Sequence, residues 1–489
     1  MYNHCLAIRH NNLAGYPQIP PFDPEEPNLV YKAVRQCLLD LEMDVNHINT
    51  KDWSPFSDII QPGNTVVIKP NLVLHTADKS LQEYTTTHPS VIRPIIDYVW
   101  KALKGEGKII VGDACSAEAD FDEIISRNGF KSMIDILRLR EVNVELRDFR
   151  ALKVTTANGI WTDDVKTNDV NPESQIVALG TESQLADKKY SKAIFHGAGY
   201  DIKSTNHHHN NKVHEYSVSK DILNADVVIS VPKFKTHRKA GITCCLKNLV
   251  GINTDKNYLP HFAMGSINMG GDEMPEIKTG NVFLLRSYNW VRENIIAHTW
   301  KTLGKPAVAI LGLLKKNHDK HSKTTGELSK DVDLAKWLHC KLSGQEIAAG
   351  AWPGNETICR MILDLNRIFL CCDRDGKLKE KTDRKFFYVV DAIGIGMGNG
   401  PTHPSPVNTG LVAAGWNGLS IDTQLLTLMN IDPEQFTLYS MARKKDWMKI
   451  DSQGDCLYNG KIVETTDRIP LKLIGPDNWE SKFDPESRE

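Results

Sequence analysis

Two short apolar runs flank a helix-patterned segment in the first quarter of the chain, and no other feature limits the fold as much. "GNTVVIKPNLV" (63–73) is a turn leading into a buried strand, Val66–Ile68, that stops at Lys69-Pro70. The proline biases Lys69 away from helix, so the lysine sits where the strand ends. In "HPSVIRPIIDYVWKAL" (88–103), Val91, Ile92, Ile95, Ile96, Val99 and Leu103 recur at the period of an amphipathic helix. "GKIIVGDA" (107–114) is a strand again, running into Gly112-Asp113; a helix over Asp122–Leu139 and a strand in "VNVELRDF" (142–149) follow. Strand–helix–strand units in series predict a parallel sheet with crossover helices.

Asp226–Val231 and "KFFYVV" (385–390) add further strands. The expected fold class is α/β, with a mixed, mainly parallel sheet and a more helical inserted block. Residues 1–269 and 381–489 form the core in this reading, and 270–380 the insertion or subdomain. That block holds Phe283–Trp300, a charged surface segment over 313–333 and a helix at Thr357–Leu370. Residues 1–30 read as an extended arm, and 155–212 as a polar, irregular insertion. Four strand ends deliver Lys69, Asp113, Lys233 and Asp391, and open parallel sheets gather ligands beyond those ends.

Composition narrows the class of partner. With 489 residues the chain exceeds one small core. Its 59 basic and 61 acidic residues nearly cancel, which argues against nucleic acid and confines any anion to a local, small site. The N-terminus lacks a basic segment followed by an apolar one, and the most apolar run, Pro306–Leu314, is about half the ~20 residues of a membrane helix. Ten cysteines, two pairs of them adjacent and none in C-x-x-C spacing, suggest reduced thiols. A cytoplasmic protein with no membrane partner is the expectation; nothing in the sequence fixes its oligomeric state.

Against that balanced background, "DVVISVPKFKTHRKAGITCCLKNLVG" (226–251) stands out. From Val227 to Thr254 there is no acidic residue, while Lys233, Lys235, His237, Arg238, Lys239 and Lys247 are present. If the chain stays extended past Pro232, Lys233, Lys235 and His237 share one face. Such a face would hold a carboxylate or phosphate, with His237 moving a proton near neutral pH. The plainer reading is a solvent-facing basic edge strand. "CLKNLVGINTDKNYLPHF" (245–262) adds Lys247, Asn248, Gly251, Lys256 and His261, though Lys-Asn is also a common helix terminus.

Other motifs read more simply. In "NHHHNNKVHEY" (206–216), three successive histidines cannot face one ion, so a solvated loop is expected, with His214 the member of interest. In "GDACSAEADFDE" (112–123) only Asp113 is kept as a site candidate, because the later carboxylates suit a helix N-terminus. "DAIGIGMGNGP" (391–401) fits no nucleotide fingerprint and reads as a long exposed loop after a strand, with Asp391 its residue of interest.

Taken in order, "VVIKPNLV" (66–73), "THPSVIRPIIDYV" (87–99), "VGDA" (111–114), "HEYSVSKDILNADVVISVPKFKTHRKAGITCCLKNLVGIN" (214–253), "LPHF" (259–262), "GGDE" (270–273), "WPGNETICRMILDLNRI" (352–368), "VVDAIGIGMGNGPTHPSP" (389–406) and "GLVAAGWNGLSIDTQLLTLMNID" (410–432) resemble the DUF362 family. The family's motif residues fall on Lys69, Asn71, His88, Asp113, Lys233, Lys235, His237, Lys247, Asn248, His261, Asp391 and Asp422. Some members carry a four-cysteine cluster module; this chain lacks that run, so no iron–sulfur cluster is expected. The resemblance implies a site without naming a reaction.

The expected function is an enzyme acting on a small anionic metabolite. Lys69, Asn71, His88, Lys233, Lys235, Lys247 and Asn248 would bind the anion. His237 or His261 would be the acid/base, with Asp113 or Asp391 orienting it or holding a divalent ion; the cofactor is otherwise open. Two alternatives stand beside it: a non-catalytic protein that binds an anion or cofactor, and a metal-dependent hydrolase built from Asp113, Asp391 and a histidine such as His214.

Overall fold

The computed structural model describes residues 3–11, 15–16, 20, 22, 28–157, 160–166, 174–197, 201–276, 287, 347, 349–401, 403–449 and 453–484. Its centre is an 11-stranded sheet: β1 (His4–His10), β2 (Thr65–Pro70), β3 (Lys108–Asp113), β4 (Val144–Asp148), β5 (Val227–Val231), β6 (Lys233–His237), β7 (Gly241–Thr243), β8 (Lys385–Asn399), β9 (His403–Gly415), β10 (Asp455–Tyr458) and β11 (Lys461–Ile462). The order is β11-β10-β1-β9-β8-β5-β2-β3-β4, with β6 beside β8 and β7 beside β6. From β4 across to β8 every pairing is parallel, as the crossover pattern predicts. The hairpin β8–β9 and strand β1 extend the sheet in antiparallel fashion.

Alternation along the strands splits the core in two. Val66, Ile68, Ile109, Val111, Val227 and Ile229 belong to one apolar cluster, and Val67, Ile110 and Val228 to the other. Helices α1 (Leu29–Asp40), α2 (Pro89–Leu103), α3 (Phe121–Arg127) and α4 (Phe130–Leu139) cover the first face. Helices α5 (Cys245–Asn248), α6 (Glu356–Cys371) and α7 (Gly418–Leu428) cover the second. Both faces are therefore dry, which is the condition under which parallel strands persist.

The structure corrects several expectations. The predicted N-terminal arm contains β1, whose Cys5, Leu6, Ala7 and Ile8 are buried between β9 and β10. The predicted irregular insertion contains a hairpin (Leu152–Ala157 with Ile160–Lys166) and a strand, Ser174–Ala178, paired with Glu215–Ser219. It also contains a helix, Ile202–His208. The glycine-rich stretch is no exposed loop but the second half of β8. Gly396 is required by packing, since a Cβ would meet Pro404 Cβ at 2.7 Å and the Tyr84 carbonyl at 2.9 Å; at Gly394 a Cβ would press on the Tyr16 and Tyr84 rings at 3.1 Å. The helix expected at Thr357–Leu370 is α6; Phe283–Trp300 and 313–333 lie outside the described residues. Among the described residues no helix is long and apolar enough to cross a membrane.

Candidate functional site

Pro232 has no amide hydrogen to give the sheet, so β5 stops there. The chain nevertheless stays in line, because the Asp391 amide donates to Pro232 O (2.9 Å) and β6 resumes pairing with β8, Lys233 opposite Asp391. The lysine-bearing segment thus lies inside the sheet. Its residues Lys233 to Thr236 are buried, which rules out a solvent-facing basic edge strand.

Two carboxylates from neighbouring strands meet two of the lysines. Lys69 Nζ donates to Asp113 Oδ1 (2.7 Å), Pro70 O (3.0 Å) and Asn248 Oδ1 (3.1 Å), all within the protein interior. Lys233 Nζ donates to Asp391 Oδ2 (3.1 Å) and to the Tyr16 hydroxyl. Asp113 Oδ2 also accepts from the Leu72 amide (2.7 Å), and Asp391 accepts from Tyr16 Oη (2.6 Å) and the His88 amide (2.9 Å). Burial pulls both ammonium groups below their ordinary pKa although the paired carboxylate opposes it. Both carboxylates are committed to these bonds, so neither is a free base.

Gly251 is where the backbone must come closest. A Cβ there would lie 1.9 Å from Asp113 Oδ1 and 2.7 Å from Lys69 Nζ. The missing side chain of Gly251 thus makes room for the Lys69–Asp113 pair.

Lys235, 2 % exposed, reaches only neutral acceptors: Asn71 Oδ1 at 2.8 Å and the Thr85 carbonyl. Asn71 Nδ2 in turn donates to Asn248 Oδ1 (3.4 Å), so the two lysines are joined through two amides. Burial, then Lys247 and Lys233, hold the Lys235 ammonium well below its usual value.

Beyond these pairs lies a group of cations without a carboxylate in ion-pair contact among the described residues. Lys247 is partly exposed on α5 and has no hydrogen-bond partner there. Burial, with Lys239, Lys256 and Lys69 nearby, draws it down to about 7. Lys239 Nζ sits 5.2 Å over the Phe262 ring, and burial and Arg238 draw it to about 8, Glu273 opposing. Lys256 donates to Ala114 O (2.7 Å) and Asn253 O (3.1 Å), and burial lowers it to about 8.

Two histidines join this group in complementary tautomers. His237 Nδ1 accepts from the amides of Lys239 and Ala240 (both 3.2 Å), which leaves the ring proton on Nε2. His261 Nδ1 faces the Leu259 carbonyl at 2.8 Å and must donate, which leaves Nε2 as a lone pair. Burial, then the surrounding lysines, keeps both rings neutral, well below the ordinary histidine pKa. One ring therefore offers a hydrogen-bond donor and the other a base.

Helix α5 fixes the base of Lys247. Asp422 accepts from the amides of Cys245 (2.8 Å) and Leu246 (3.1 Å), capping the helix N-terminus. Cys244, Cys245 and Asp422 place their ligand atoms within 4.8 Å of one another. Both Asp422 oxygens are spent on the helix, and burial, the largest influence, raises its carboxyl to about 6.

Other sequence candidates turn elsewhere. His88 caps α2, its Nδ1 accepting from the Ser90 amide (3.2 Å), and stacks on Tyr16 with centroids 4.1 Å apart. His209 and His214 are buried, not solvated, because His209 Nε2 faces Tyr258 O (2.9 Å) and the two rings face each other, Nδ1 to Nδ1, at 3.5 Å. Among the described residues, Asp113, Asp391 and His214 belong to no group of three ligands able to hold one ion. No sequence signal marks Tyr16, and Lys239 in 226–251 and Lys256 in 245–262 carry no role of their own in the sequence reading. Their charge was visible in the sequence, their convergence was not.

The family model described as a domain of unknown function (DUF362) matches residues 66–173 and 151–427. No curated protein matches the sequence. A crystal structure of a Thermotoga maritima protein aligns with 79% of this chain and 56% of its own length, at 11% identity and a TM-score of 0.28.

Proposed function

The chain belongs to the DUF362 family, and from that premise we propose that it is an enzyme acting on a small metabolite bearing a carboxylate or phosphate. Lys247, Lys239 and Lys256 bind the anion, while His261 Nε2 accepts a proton and His237 Nε2–H donates a hydrogen bond to developing negative charge. Lys69 and Lys233, neutralised by Asp113 and Asp391, anchor the site, and Asn71 and Asn248 connect Lys235 to the Lys69–Asp113 pair. What supports this reading is one observation: Lys256, buried, and Lys239 and Lys247, half-buried, gather beside two neutral histidines, with Lys247 lacking a counter-charge in contact among the described residues. An anion entering there meets partly desolvated cations, where Coulomb attraction is stronger than in bulk water.

A calorimetric panel of small carboxylates and phosphates tests binding, and product analysis of the same panel tests turnover. Binding with conversion of at least one compound is expected. Binding without conversion would favour a non-catalytic holder of the same ligand. No binding by any anion would defeat both readings.

A further inference from the structure

We propose that Lys247 forms a covalent imine with an oxo acid, a small carboxylate that also carries a ketone or aldehyde. The inference rests on the anion site described above and narrows its substrate class. Among the described lysines of the site, Lys69, Lys233, Lys235 and Lys256 spend their ammonium groups on oxygen acceptors, and Lys239 lies over Phe262. Lys247 alone has neither, and it is partly open to solvent. Its backbone is nevertheless held firmly. Asp422 caps the start of α5, Asn366 Nδ2 donates to Leu246 O (3.0 Å), and Asn248 Nδ2 donates to Ser230 Oγ (2.9 Å) and Lys69 O (3.2 Å). A fixed base and a free amine suit a group that must reach a carbon atom instead of filling a cradle.

The surroundings favour the neutral amine, since a lysine desolvated beside other cations is the usual nucleophilic lysine. At neutral pH an amine held near 7 is about half unprotonated. The step balances without any oxidant. The Nζ lone pair adds to the carbonyl carbon, and the carbonyl oxygen takes the negative charge beside His237 Nε2–H. His261 Nε2 removes one nitrogen proton and passes it to that oxygen. Loss of the second nitrogen proton by the same route expels the oxygen as water, leaving C=N in place of C=O. The ligand carboxylate meets Lys239 and Lys256.

The test is reductive trapping. The full chain is incubated separately with pyruvate and glyoxylate, with cyanoborohydride at neutral pH, and the adduct is mapped by peptide mass. A single adduct on the Lys247 peptide is expected, reduced roughly tenfold or more in Lys247→Arg, which keeps charge but forms no stable imine. The matching hydroxy acid, which lacks the carbonyl, should protect. Adducts scattered over surface lysines, with equal yield in Lys247→Arg, would overturn the inference. Calorimetry with the same acids in the absence of reductant separates the two levels. Binding without a Lys247 adduct sinks only the imine, whereas no binding of any carboxylate or phosphate sinks the anion site as well.

Discussion

Asn248 and Lys69 bond to each other twice: the amide of Asn248 donates to Lys69 O at 3.2 Å, and Lys69 Nζ donates to Asn248 Oδ1 at 3.1 Å. This reciprocal bond ties the helix that carries Lys247 to the end of a central strand. Asn248→Leu keeps the branched outline but strands the Ser230 hydroxyl and removes one acceptor from a buried ammonium. A loss of about 1–3 kcal/mol is expected in urea unfolding, together with weaker anion binding, because α5 loses its anchor. Unchanged stability would show that Asn248 is dispensable to the site.

The Lys233–Asp391 pair is wholly buried, so its members should not be separable. Lys233→Met leaves an uncompensated carboxylate and should destabilise by about 3–5 kcal/mol. The double variant Lys233→Met/Asp391→Asn should recover a large part of that loss. A double-mutant cycle with no coupling would contradict the pairing.

Lys247 should work against the fold that holds it. Its folded pKa, about 7, lies below the ordinary 10.5, so the fold disfavours its charge. That handicap is absent above pH 10.5, grows as pH falls and is complete below about 7. Lys239, Lys256 and Lys69 oppose its protonation, and Asp113 favours it. Lys247→Met should therefore melt higher than wild type at neutral pH, by at least ~1 kcal/mol of stability, and converge with it near pH 10. The same variant should bind anions at least about tenfold more weakly. A variant that melts lower at neutral pH would refute the account.

His209 sets an acid limit on stability. Burial, the largest influence, lowers its pKa to about 3, while the unfolded chain titrates near 6.5. Its contribution is present above pH 6.5 and lost as pH falls towards 3, at up to roughly 1.4 kcal/mol per unit. Asp364 and Asp422, both raised to about 6, act in the opposite sense over part of this window, so the informative quantity is a difference. His209→Gln, whose amide still donates to Tyr258 O, should lose less stability than wild type between neutral pH and pH 5. Parallel stability curves would disprove the assignment.

The parallel half of the fold was legible because β2, α2 and β3 each carry one clean periodicity and follow each other closely. Strand β1 was not, since its partners β9 and β10 lie at the far end of the chain and its apolar run is only Cys5 to Ile8. Gly394 in β8 misled for a related reason: what it accommodates, the Tyr16 and Tyr84 rings, is supplied by distant segments. At the site, the acid-free segment announced Lys233, Lys235 and Lys247. Which of them would be neutralised depended on strand neighbours, with Lys69 beside Asp113 and Lys233 beside Asp391. Lys247 remains uncompensated because α5 lies off the sheet.

Strand β8 pairs first with β5 and then, past Pro232, with β6, so one continuous ladder holds the sheet centre and the lysine segment together. Displacing β6 would unzip the middle of the molecule, and its amides should exchange with deuterium only through global unfolding.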